Sequence, residues 1–139
     1  MKSQKNILIT GTAGFIGFHL AHKLISQNKN VIGIDNLNTY YDFNLKHQRL
    51  KKLKKISKGK NFFFYKIDIS NKKKLLSIFK KHKITKIIHL AAQAGVRYSF
   101  ENPQTYADTN LVGFFNILEG CRINNIKNLI YASSSSVYG

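Results

Sequence analysis

Three glycines at three-residue spacing, set directly behind a short apolar run, constrain this chain more than any other feature. Ile7-Leu8-Ile9-Thr10 leads into Gly11, Gly14 and Gly17, and the residues from Phe18 to Leu24 then follow a helical period. Strand, glycine turn and helix in that order predict an anion-binding turn, and each glycine has separate work in it. Gly11 permits a turn tight enough to leave a strand, Gly14 lets backbone amides approach a pyrophosphate with no Cβ between them, and Gly17 lets the helix pack closely on the strand. The unpaired N–H groups of the first helical turn and the positive end of the helix dipole then face the anion.

The remainder alternates in the same way. Leu20, Leu24 and Ile25 give the first helix an inner stripe, and Val31-Ile32-Gly33-Ile34-Asp35 is a nearly continuous apolar strand that ends at an acid, as expected when both faces of a sheet are covered. Asn36 to Asp42 reads as a polar, aromatic loop. Lys46 to Ser57 reads as a helix with Leu50, Leu53 and Ile56 inward and Lys51, Lys52, Lys54, Lys55 and Lys58 in water. Phe62 to Asp68 is a third strand ending at an acid, and Ser70-Asn71 suits the cap of a helix whose inner residues are Leu75, Leu76 and Phe79. Lys86 to Ala92 is a fourth strand and Gln93 to Asn102 a loop. Pro103 stands near the start of a long helix whose apolar positions include Leu111, Phe114, Phe115, Leu118 and Cys121, and Asn128 to Ser133 is a fifth strand.

Strands alternating with helices at this spacing predict right-handed crossovers and a parallel sheet covered on both faces. The strand order 3-2-1-4-5 follows by analogy with the Rossmann-type, doubly wound α/β dinucleotide fold. In such sheets ligands lie beyond the carboxyl ends of the strands. Gly11 to Gly17, Asp35, Asp68, Ala91 to Arg97 and the run Ser133 to Ser136 each follow one of the five strands, so all five point to one crevice.

Length and composition narrow the classes. With 139 residues the chain makes one domain, 1–139. No apolar run is long enough to span a bilayer, and Met1 to Lys5 leads straight into a strand, so a cytoplasmic protein without membrane attachment is expected. Cys121 is the single cysteine, which excludes an internal disulfide and a multi-cysteine metal site; no metal is expected. The net charge of +17 raises nucleic acid as a partner, but 20 of the 23 basic residues are Lys, base recognition favours Arg, and no nucleic-acid motif is present. A solvated lysine surface, with no nucleic-acid partner, is the expectation.

Asp35 stands eighteen residues after Gly17, close to the spacing of about 20 at which an acid binds the adenosine ribose hydroxyls. That predicts NAD as cofactor, since a 2′-phosphate would be repelled and Asn36, Leu37 and Asn38 bring no arginine to compensate. The plain alternative is a turn acid capping its own loop.

The ordered pieces Thr10-Gly11-Thr12-Ala13-Gly14-Phe15-Ile16-Gly17, Asp35-Asn36-Leu37, Asp68-Ile69, His89-Leu90-Ala91-Ala92, Asn110-Leu111-Val112-Gly113 and Ser133-Ser134-Ser135-Ser136-Val137-Tyr138-Gly139 resemble the N-terminal part of the extended short-chain dehydrogenases/reductases, within the nucleotide-sugar epimerases and dehydratases. Ala91 to Ser99 and Tyr131 to Gly139 are similar more narrowly to the UDP-glucuronate 4-epimerases. The resemblance implies a cofactor set of Gly11, Ala13, Gly14, Phe15, Ile16, Gly17, Asp35 and Asn36, with Asp68 and Ile69 bordering the adenine and Leu90, Ala91, Ala92 and Gln93 lining the nicotinamide side. Asn110 matches the helix asparagine that orders the active site. Ser134 matches the catalytic Ser/Thr, three residues before Val137, and Ser135 and Ser136 would meet a uronate carboxylate. Arg97 is a candidate substrate contact or a plain surface arginine. The plainer alternatives are that Asp68 caps the next helix, that Asn110 satisfies a neighbouring backbone group and that the serine run forms a flexible loop, while His89 fits a packed, hydrogen-bonded histidine.

In the family, NAD accepts hydride from sugar C4 while a tyrosine, its pKa lowered by a lysine four residues later, takes the hydroxyl proton. Tyr40, Tyr41, Tyr65, Tyr98, Tyr106 and Tyr131 all lack that lysine, and Tyr138 is followed only by Gly139. The expectation is therefore an NAD-binding piece, cut before the last strand and the substrate domain, inactive and poorly soluble by itself, from a protein that acts on a UDP-uronate and forms homodimers. A 4,6-dehydratase is disfavoured because Ser135 and Ser136 stand where the family's Asp-Glu pair would be. A non-catalytic dinucleotide-binding protein is the alternative from another class.

Overall fold

Five short apolar runs pair edge to edge into one parallel sheet of order β3-β2-β1-β4-β5 in the computed structural model, which describes residues 5–139. The strands are β1 (Asn6–Thr10), β2 (Asn30–Asp35), β3 (Phe62–Lys66), β4 (Ile84–His89) and β5 (Leu129–Tyr131). The expected lead from Met1 to Gln4 into β1 lies outside the described residues. Pairing sets Ile9 between Gly33 and Ile88, and Thr10 between Ile34 and His89, so the strand ends that carry the unusual residues are level with one another.

Helices cover both faces. Leu8, Ile32, Ile34 and Ile87 pack against Leu75, Ile78 and Phe79 of α3 (Lys72–His82) and Ile117 of α6 (Phe114–Ile123) on one face. On the other, Ile9 and Val31 meet Ala21 and Ile25 of α1 (Phe15–Ser26) and Leu50 and Leu53 of α2 (Phe43–Ser57). This two-sided burial is why β1 and β2 read as unbroken apolar runs.

Element ends differ from the expected ones for local reasons. Helix α2 begins at Phe43 instead of Lys46, because the Asp42 carboxylate accepts the amides of Asn44 at 2.8 Å and Leu45 at 3.3 Å. Asn71 caps α3 through the Lys74 amide as expected, although the third inner residue of α3 is Ile78, with Leu76 half-buried. A short helix α4 (Val96–Glu101) interrupts the expected loop, and β3, β4 and β5 stop before Asp68, Ala92 and Ser133.

The long helix runs through α5 (Pro103–Tyr106), a π-helical stretch Ala107–Gly113, and α6. Its buried residues are Gly113, Asn116, Ile117 and Gly120, whereas Leu111, Phe115 and Leu118 are exposed. Three of its apolar positions thus face outward, while Gly113 and Gly120 let the helix pack closely on its neighbours. Cys121 is half-buried, and burial pushes its thiol up. Among the described residues, no helix is long and apolar enough to cross a membrane.

Replacing the α2 cap by Asp42→Ala should lower stability by about 1 kcal/mol. Urea denaturation measures this, and an unchanged midpoint would show that the cap does not hold α2 in place.

Candidate functional site

The glycine turn docks directly on the end of β4. Gly11 has φ +70°, and a Cβ there would lie 2.9 Å from the Ala91 nitrogen; a Cβ on Gly17 would lie 2.1 Å from the Gly11 carbonyl oxygen. Neither position admits another residue without moving backbone. Within the turn, Thr12 N–H donates to the Ile34 carbonyl (3.2 Å), Ala13 N–H to Asp35 Oδ2 (3.0 Å) and Gly14 N–H to the Gly11 carbonyl (3.0 Å). The first bond of α1 is Phe18 N–H to the Gly14 carbonyl at 3.0 Å, so the amides of Phe15, Ile16 and Gly17 precede it and face outward for an anion. Ala13 and Gly14 shape the turn while the next three residues supply its donors.

Asp35 is buried at the end of β2. Besides Ala13, its carboxylate accepts the Leu37 amide at 2.9 Å, so the turn-acid reading describes part of its role. Lys46 Nζ lies 4.0 Å from Asp35 Oδ1 and donates to the carbonyl and side-chain oxygens of Asn38 at 3.0 and 2.8 Å. Arg49 Nη1 donates to the Ala13 carbonyl at 3.0 Å. Neither cation was singled out from the sequence. Lys46, Leu50 and Leu53 share one helix face at i, i+4 and i+7, and a lysine in that inward row was the available signal.

At the end of β3, the side-chain nitrogen of Asn36 donates to Asp68 Oδ2 (3.0 Å), and the Ser70 amide and hydroxyl donate to Oδ1 (2.9 and 2.7 Å). Burial pushes the Asp68 carboxyl up, but the bonds from Asn36 and Ser70 outweigh it and hold the group below its ordinary value. A cavity of about 170 Å³ lies among these groups, lined by Gly11, Gly14, Asp35, Asn36, Tyr40, Lys46, Asp68, Ile69 and Leu90 to Gln93.

The end of β4 is tied to β1 through one hydroxyl. Thr10 Oγ1 accepts the amides of Leu90 (3.1 Å) and Ala91 (3.0 Å) and lies 2.7 Å from His89 Nδ1. With the two amides occupying both lone pairs of the hydroxyl oxygen, its proton is what remains for Nδ1, an arrangement that assigns the imidazole's own proton to Nε2. His89 stacks on Phe114 at 5.4 Å, and burial lowers its pKa to about 4. Asn110, in the π-helical stretch, accepts the Gln93 amide and donates to the Gln93 carbonyl, both at 2.9 Å. It grips the loop after β4 with both ends of its amide.

A second cavity of about 290 Å³ shares Leu90, Ala91 and Ala92 with the first and adds His89, Asn110, Phe114, Tyr131 and Ser133-Ser134. The two form one crevice along the carboxyl ends of the strands. Ser134 lies in it, and its hydroxyl accepts the Ser136 amide at 3.2 Å, opening a 3₁₀ turn at Ser135–Tyr138 in place of a flexible loop. Ser135 and Ser136 are exposed and line neither cavity, and neither does Arg97 on α4. Tyr40 packs on Tyr98 with ring centres 4.8 Å apart, and Tyr106 donates to the carbonyls of Ala94 and Gly95, so the loops after β2 and β4 meet across the crevice. Among the described residues, no cluster of His, Cys, Asp and Glu could hold a metal.

The family model described as GDP-mannose 4,6 dehydratase matches residues 8–139. Protein CapI of Staphylococcus aureus is 58% identical over 133 residues, covering 96% of this chain and 39% of that protein. A UDP-glucuronate 4-epimerase of Thermodesulfobacterium geofontis is 49% identical over 131 residues, covering 94% of this chain and 40% of that one. Among solved structures, the UDP-glucose-4-epimerase of Stenotrophomonas maltophila with bound NAD and formylated UDP-arabinopyranose superposes with a TM-score of 0.82 at 28% identity, over 97% of this chain and 38% of that chain. This chain spans about two fifths of the length of the curated relatives it matches.

The buried His89 should make stability depend on pH in a defined window. Its folded value of about 4 lies below the ordinary 6.5, so the unfolded chain binds more protons between the two. Stability is full above pH 6.5 and declines as pH falls towards 4, at up to about 1.4 kcal/mol per pH unit for one proton. His82, also lowered by burial, adds to the slope, so the check is a comparison of urea titrations of the parent chain and His89→Gln. The variant should lose most of one proton's slope.

Proposed function

Since this chain belongs to the GDP-mannose 4,6-dehydratase family of nucleotide-sugar epimerases and dehydratases, we propose that it is the NAD-binding part of a UDP-glucuronate 4-epimerase. The observation that carries the reading is the single crevice, which brings together Gly11 and Gly14 of the turn, two acids, the loop after β4 and Ser134. The residues fit a dinucleotide. Glycines stand where a Cβ would obstruct the backbone, and the outward amides of Phe15, Ile16 and Gly17 suit a pyrophosphate. Asp35 holds the adenosine ribose hydroxyls, with Lys46 beside it. Asp68 and Ile69 edge the adenine, Asn36 steadies Asp68, and Leu90 to Gln93 back the nicotinamide under the grip of Asn110. NAD, when bound, supplies reversible acceptance of hydride from the sugar.

Lys46 and Arg49 already serve Asn38 and the Ala13 carbonyl, so they do not offer the free pair of cations that a 2′-phosphate would need. Ser134 shares the proton of the reacting sugar hydroxyl. Ser135 and Ser136, in the adjoining turn, meet the uronate carboxylate, and they leave no acid pair for dehydration. The chain has no Tyr-x-x-x-Lys, so its own residues provide no strong base for that proton. Exposed Leu111, Phe115 and Leu118, at i, i+4 and i+7 on the long helix, form the contact of a homodimer.

Calorimetric titration tests the cofactor assignment. NAD⁺ should bind at least tenfold more tightly than NADP⁺, and no conversion of UDP-glucuronate should follow with these residues alone. Equal affinity, or a preference for NADP⁺, would overturn the reading.

A further inference from the structure

Two asparagines of the long helix hold loops that border the crevice, and Asn110 holds the one after β4. The other is Asn116, which is 3% exposed and reaches the loop after β3. Its side-chain nitrogen donates to the Ile69 carbonyl at 2.9 Å and to the Ser70 carbonyl at 3.0 Å. A turn earlier, a Cβ on Gly113 would lie 2.6 Å from the Ile69 side chain; a turn later, one on Gly120 would lie 2.5 Å from the Phe79 ring. Glycine at these two positions lets the helix come close to the loop after β3 and to α3. Both side-chain amide protons of Asn116 go to the loop after β3.

The consequence runs through a single peptide plane. The Ile69 carbonyl, held by Asn116, and the Ser70 N–H belong to the same planar unit, so fixing one fixes the other. That N–H donates to Asp68 Oδ1 at 2.9 Å, while Asp68 Oδ2 accepts Asn36. We propose that Asn116 is a positioning residue for the adenine end of the crevice, orienting the Asp68 carboxylate and the Ile69 backbone through the Ile69–Ser70 peptide. This rests on the reading in which Asp68 and Ile69 border the adenine. A carboxylate aimed at the base accepts from the 6-amino group of adenine and repels a 6-oxo group, so Asn116 sets base selectivity without touching the ligand.

The test compares NAD⁺ with nicotinamide hypoxanthine dinucleotide, in which that amino group is replaced by oxygen. The parent chain should favour NAD⁺ by at least tenfold. Asn116→Leu, similar in volume but without donors, should lower that ratio at least fivefold, and Asn116→Ser, which keeps one donor, should fall between them, with folding checked by circular dichroism. A folded variant that keeps the parent ratio overturns the role of Asn116 and leaves the adenine reading standing; a parent chain that binds NAD⁺ without base preference overturns both. Should the variants fail to fold, the parent chain still decides: the Asn116 side-chain amide resonances should shift when AMP is added, and their staying still at saturation refutes the coupling.

Discussion

Between β1 and β4 the winding of the sheet reverses, and the Thr10 hydroxyl spans the gap that this leaves. The chain lays β2 and β3 to one side of β1 and then returns to place β4 on the other, so the loops at the two carboxyl ends leave in opposite directions. Two backbone amides of the β4 end and one imidazole nitrogen converge on that oxygen. The connection holds the glycine turn and the loop Leu90 to Gln93 at a fixed separation. Every group discussed for ligand binding is placed relative to one or the other.

The groups along the crevice are braced from behind. Asp35 is held by the turn on one side and by Lys46 of α2 on the other; Asp68 is held by Asn36 and Ser70; the loops after β3 and β4 are held by Asn116 and Asn110 of one helix. Side chains bonded in this way lose little freedom when a ligand arrives, and that is the physical content of preorganisation. It also explains how the chain can use a buried lysine and a buried carboxylate so close together. Each has a second hydrogen-bonding partner, so neither relies on the ion pair for its polar satisfaction.

Much of this was legible in the sequence, and what was missed has a common cause. Strands β1 and β2, the glycine turn, Asp35 at the end of β2 and Asn71 as a cap are local patterns, and each lies where the pattern predicts, whereas Asp68 falls two residues past the end of β3. Lys46 and Arg49 were missed because their roles appear only once α2 folds back over the turn. The buried face of the long helix does not follow from its apolar positions, because a π-helical stretch changes the rotation per residue and because Gly113 and Gly120, with no side chains to count, mark that face. For Asp35 and Asp68 the functional and the plain readings were posed as rivals. Both carboxylates cap their own loops and also line the crevice, since a carboxylate has enough lone pairs for both.

The central claim, one dinucleotide crevice running from the glycine turn to Ser134, is tested most directly by titrating NAD⁺ into the isotopically labelled chain and following its backbone amide resonances. In a single binding event the shifts should gather at Phe15 to Gly17, at Ile69 and at Ala91 to Gln93. Shifts confined to the outer lysines of α2 and α3, such as Lys51, Lys55 and Lys73, would contradict it, because they would mean that the phosphates meet only a charged surface.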